Sequence, residues 1–60
     1  MVTSENIRMV VRDLIVKANG KVIQGKDIDL AMAEAGMDFD YLPDVEDEII
    51  VRGFAIVHSR

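Results

Sequence analysis

The 60-residue sequence contains no cysteine and only one histidine. The lack of cysteine excludes disulfides and thiolate metal sites, and one histidine cannot furnish a histidine-based zinc site within a single chain. A domain of this size buries only about 60% of its unfolded surface, and disulfides, a metal or oligomerisation usually supplement its core. Because the first two are ruled out, we expect a homodimer that holds no metal and no cofactor.

Long apolar runs are also missing. No segment approaches the roughly 18 consecutive apolar residues of a transmembrane helix, and Glu5 and Arg8 occupy the region where a signal peptide would be apolar. We therefore expect no membrane partner and, given the absence of cysteine, a cytoplasmic protein. The length allows one domain, over residues 1–60.

Positive charge is scarce in the second part of the chain. Residues 1–26 carry five basic and two acidic side chains, whereas residues 27–60 carry nine acidic and two basic ones, and the whole chain has a net charge of −4. Nucleic acids and anionic membranes repel an acidic protein. The charge therefore disfavours direct nucleic-acid binding and favours a protein partner, above all a basic one.

Apolar residues are abundant, at 50% of the chain, and their spacing predicts helices. Residues 4–18 repeat apolar side chains at helical intervals, with Thr3 or Ser4 as the cap. A second helix is predicted over 27–35, ending at Gly36, with Val22 and Ile23 before it as a possible extended piece. Residues 37–44 form a connector that allows one short helical turn.

The C-terminal part admits two interpretations. Asp44 is a candidate cap for a last helix, with acidic residues in its first turn. Residues 49–57 are rich in β-branched side chains and contain Gly53, which favours a strand or hairpin. We prefer a helix that runs to about His58 and expect this apolar segment to be the most buried element.

Together these patterns predict an all-α fold, a small compact bundle of three to four short helices that forms a dimer. The alternative is a winged-helix-like α+β fold with a C-terminal hairpin.

Motifs for chemistry are incomplete. The segment 20–27, GKVIQGKD, has the glycines and lysine of a phosphate-binding loop, but Asp27 stands where that loop needs a hydroxyl. From Asp38, the calcium-loop pattern would place Pro43 and Ile49 where glycine and glutamate are required. His58 and the adjacent Ser59 point apart and cannot form a triad. We therefore predict no enzyme activity and no catalytic residue.

Two sets of residues are candidates for contact with proteins. An acidic surface for a partner would comprise Asp38, Asp40, Asp44, Glu46, Asp47 and Glu48. Met9 and Val16 are seven residues apart and lie opposite the main apolar face of the first helix. They are the predicted dimer contact, because a monomer of this size can hardly cover a helix on both sides.

The order helix, GKVI (20–23), helix and apolar C-terminal segment resembles winged-helix domains. That resemblance implies DNA binding, but the segment DVEDEII (44–50) occupies the place of the DNA-reading helix, where phosphate contacts need lysine or arginine. A winged-helix fold with these residues would bind protein.

Three functions follow from these observations. The first is a small regulator that binds and modulates a larger cytoplasmic protein, with a DNA-binding transcription factor as a natural candidate. The second is direct DNA binding through the basic N-terminal half, which contains Arg8, Arg12, Lys17, Lys21 and Lys26. The third is a structural subunit of a larger assembly.

Overall fold

The computed structural model describes residues 3–18, 20 and 22–58. Three α-helices and two short strands follow in the order α1 (Ser4–Lys17), β1 (Val22–Gln24), α2 (Gly25–Glu34), α3 (Leu42–Val51) and β2 (Ala55–Val57), with a 3₁₀ turn at Phe39–Tyr41 before α3. The mainly helical architecture confirms the predicted helical fold in its coarse form. The two strands show that the fold is not the purely α-helical one that the sequence predicted. None of the described helices is long and apolar enough to cross a membrane.

Helix α1 begins with a reciprocal cap. The hydroxyl of Thr3 accepts a hydrogen bond from the Asn6 backbone at 3.2 Å, and the Asn6 side chain accepts one from the Thr3 backbone at 2.9 Å. This capping box satisfies amide groups that have no partner within the helix. The bounds of α1 agree with the predicted helix over 4–18 to within one residue.

Helices α2 and α3 end in the same way. The amide of Gly36 donates to Ala33 and that of Met37 to Met32, while Gly53 donates to Ile50 and Phe54 to Ile49. These are paired Schellman bonds, and both glycines have positive φ, +68° and +89°. The end of α2 at Gly36 was predicted, but the equivalent end of α3 at Gly53 was not.

Two expected helix starts are displaced. Helix α2 starts at Gly25 instead of 27 because β1 leads directly into it. Helix α3 starts at Leu42, so Pro43 lies in its first turn, where its missing amide costs nothing, and Asp44 lies inside the helix instead of capping it.

The prediction of a helix through residues 49–57 was wrong beyond Val51. The positive φ of Gly53 stops α3, and the following residues form β2. Residues Val22, Ile23 and Gln24 pair in parallel with Ala55, Ile56 and Val57. Two helices separate these strands, so they form a parallel crossover pair, and the alternative C-terminal hairpin is also wrong.

The core lies where α1, α2 and α3 meet beneath Ile23 of β1. Its nine buried apolar residues are Val10, Val11, Leu14, Ile23, Ile28, Met32, Met37, Val45 and Ile49. The expectation that 49–57 would be the most buried element was wrong, because Ile50 is 60% and Val51 79% exposed. Only one face of a helix can meet the core, so a continuously apolar helical sequence must expose the side chains on its other face.

Candidate functional site

The acidic residues of 38–48 do not share one surface. Glu46, Asp47 and Glu48 are consecutive on α3, and consecutive helical residues point about 100° apart. Asp44 lies in the first turn of the same helix, and Asp38 and Asp40 lie at the 3₁₀ turn. The structure therefore brings the six predicted partner-binding residues into one region of the fold, but it spreads four of them around α3 and places Asp38 and Asp40 at the turn before it.

Several of these acids have local roles. A carboxylate oxygen of Asp38 accepts a 2.9 Å hydrogen bond from the Asp40 amide and so caps the 3₁₀ turn. Glu48 accepts a 2.8 Å hydrogen bond from Nε of Arg52, as an i,i+4 pair. Glu46 is 3.7 Å from Nε2 of His58. Asp40, Asp44 and Asp47 are exposed and are the acids best placed to meet another molecule.

His58 follows β2 and lies against the start of α2. A Cβ added to Gly25 would come within 3.2 Å of Nδ1 of His58, so the absence of a side chain at Gly25 lets the end of β2 approach α2. Within the segment that resembled a phosphate loop, residues 22–24 form strand β1 and residues 25–27 begin α2. Across the described residues, no group of three or more His, Cys, Asp or Glu side chains is arranged to hold a metal ion.

The predicted dimer contacts lie on the outside of α1. Met9 is 58% and Val16 74% exposed, whereas Val10, Val11 and Leu14 of the same helix are buried. The helix thus presents apolar side chains on two faces, and only one of them packs within the described chain.

A groove that the sequence did not predict runs between α1 and α2 beside β1, with a volume of about 330 Å³. We call it the β1 groove. Its floor is apolar and its rim is mostly charged: the floor comprises Leu14, Ala18, Ile23 and Ala31, and the rim comprises Asp13, Lys17, Val22, Gln24, Asp27, Leu30 and Glu34. A second groove, of about 460 Å³, shares Asp13 and includes Met9 and Met37. The two depressions follow the junction of α1 with α2 and the turn after it.

One feature of the sequence could have indicated this groove. Leu30 lies on the opposite side of α2 from the buried Ile28 and Met32, and it is 60% exposed. Asp27 and Glu34 are three residues before and four residues after it, so the three share one helical face. An apolar side chain between two acids on an otherwise polar face indicates a contact surface.

No protein-family model matches this chain, and comparison with curated proteins and with solved structures gave no significant match.

Proposed function

We propose that this chain is a small cytoplasmic protein-binding module that regulates a larger protein. The observation that supports the proposal is the amount of apolar surface outside the core. Eight large apolar side chains are between 44% and 79% exposed: Met9, Val16, Val22, Leu30, Phe39, Ile50, Val51 and Val57. A bound protein would cover part of this apolar surface, as contact sites on protein surfaces commonly contain exposed apolar side chains.

The charge of the surface favours a basic partner. Asp40, Asp44 and Asp47 are exposed around the start of α3, and an acidic surface accelerates encounter with a positively charged protein. DNA-binding transcription factors carry positively charged surfaces, so they are the first class of partner to examine.

Affinity capture from the source cell, followed by reconstitution with the purified partner, tests the proposal. The rate of association should fall when Asp40 and Asp47 are both changed to lysine, because the change reverses the charge that attracts a basic partner. The fold should survive, since neither side chain makes a hydrogen bond among the described residues. The double change Asp38→Lys and Asp40→Lys is less clean, since it also removes the cap of the 3₁₀ turn.

The matched control is Arg8→Glu with Arg12→Glu on α1. It changes the same number of charges in the basic half and should not slow association with a basic protein. Salt-sensitive binding of the chain to random DNA, lost in this control, would instead indicate the DNA-binding alternative. An association rate that neither double variant changes would leave the acidic surface without a role in binding.

A further inference from the structure

Strand β1 has β2 on one side only, and the β1 groove lies on the other side. All three residues of β1 line that groove, and no residue of β2 does. Because the groove contacts all three residues of β1 and none of β2, it lies along the side of β1 away from β2. Among the described residues the parallel sheet has two strands, so this side of β1 is one of its edges.

Val22 and Gln24 are exposed, whereas Ile23 is 2% exposed, so an added strand would meet mainly the backbone of Val22 and Gln24. Within the ranges 3–18 and 22–58, no hydrogen bond connects β1 to α1 or to the loops. Parallel sheets are normally covered on both faces and extended by further strands, and an open strand edge is a template for another extended chain.

The charge of the groove selects the occupant. The described side chains at its rim include three carboxylates, from Asp13, Asp27 and Glu34, against the single ammonium group of Lys17. A second copy of this chain would bring the same acids towards one another across a β1–β1 pair, which costs energy. A segment with basic side chains complements the rim, and apolar side chains between them fit the floor beside Leu30.

We propose that the β1 edge binds an extended, basic segment of another protein as a third strand of the sheet. Main-chain hydrogen bonds to β1 would supply much of the affinity, and alternate side chains would meet the apolar floor and the acidic rim. This inference rests on the proposed function, because it names the chemistry of the partner and the surface that binds it.

The probe is a ten-residue peptide of alternating valine and lysine, titrated into the ¹⁵N-labelled full chain at physiological salt. The largest shifts are expected at the amides of Val22, Ile23 and Gln24. The same peptide with an N-methyl group on every residue should bind at least about tenfold more weakly, since it can donate no main-chain hydrogen bond from either edge. Equal binding of the two peptides would overturn strand addition.

Two variants of α2 provide a matched pair. Asp27 lies at the rim of the groove, whereas Asp29 lies outside it, and both are exposed near the start of the helix. Asp27→Lys should weaken binding of the unmethylated peptide roughly 3- to 10-fold, and Asp29→Lys should weaken it by much less. Equal weakening would show only general attraction to an acidic protein and would refute the assigned site.

The outcomes also separate this inference from the proposed function. If capture finds a partner whose binding is unchanged by Asp27→Lys and the peptide leaves β1 unshifted, the inference fails and the proposed function stands. If the peptide binds β1 as described but no partner is captured, the strand-binding edge stands and the regulatory function fails. A dimer with protected β1 amides that excludes the peptide would assign the edge to a second copy and refute the proposal.

Discussion

Two adjacent isoleucines in α3 provide the sharpest test of the fold. Ile49 is fully buried and Ile50 is 60% exposed, and they have the same side chain in the same helix. Truncating a buried isoleucine to alanine costs about 2–5 kcal/mol through lost transfer energy and the cavity that remains. Ile50→Ala should change stability by no more than about 0.5 kcal/mol, since surface substitutions away from special features rarely do more.

The predicted loss is large relative to the stability of so small a domain. At roughly 0.05–0.15 kcal/mol per residue, a chain of 60 residues has a free energy of unfolding of about 3–9 kcal/mol. Ile49→Ala should therefore remove from a quarter of that free energy to all of it. Ile49→Val, with an expected cost of about 0.5–1.5 kcal/mol, keeps the test measurable if the alanine variant does not fold.

Urea denaturation followed by far-ultraviolet circular dichroism measures these differences. Val51→Ala completes the series because a strand over 49–51 would place Ile49 and Val51 on the same face, whereas the helix buries Ile49 alone. A loss for Val51→Ala comparable to that for Ile49→Ala would refute the helical register of α3. Repeating the series at several protein concentrations would reveal any loss that arises from subunit contacts.

Three further changes have expected outcomes. Val16→Asp should leave the monomer folded, because Val16 is 74% exposed, but it should dissociate a dimer formed through α1. Light scattering with gel filtration measures the mass, and a monomeric wild type at tens of micromolar would refute the dimer. Thr3→Ala should cost about 0.5–2 kcal/mol by removing the α1 cap, and Thr3→Ser should retain most of that stability, as urea titration would show. Gly36→Ala should lower the free energy of unfolding by about 1–2 kcal/mol because φ is +68° at this position, and Gly36→Asn should lower it by less. Equal melting temperatures for both variants and the wild type would contradict this expectation.

The helices were predictable because their signals are local. The Thr3 cap, the spacing of Val10, Val11 and Leu14, and Gly36 after α2 are each read within one or two turns. The strands were not predictable to the same degree, because a three-residue strand exists only through its partner, and β1 and β2 are separated by two helices. Residues 49–57 show this limit, since the sequence carries signals for both helix and strand and the structure contains each in turn.

The site was less predictable than the fold for a related reason. The acidic residues of 38–48 are close in sequence, but α3 directs the last four around its axis. Asp38, Glu46 and Glu48 each have a partner nearby. The β1 groove combines residues from α1, β1 and α2, so no single segment of the sequence predicts it. Leu30, an apolar residue on the exposed side of α2, is the local feature that could have indicated the groove.

The two proposed contact surfaces can be separated experimentally because they use different sides of α1. Val16 is absent from the β1 groove, whereas Leu14 and Lys17 of the same helix line it. A dimer formed through Met9 and Val16 would therefore leave the open edge of β1 accessible, and Val16→Asp should dissociate such a dimer without weakening the alternating peptide. Asp27→Lys should have the opposite pattern, with an unchanged mass and weaker peptide binding. If either variant changed both properties equally, the dimer contact and the strand-binding edge would have to be parts of one surface, and the charge argument against a second copy at β1 would fail.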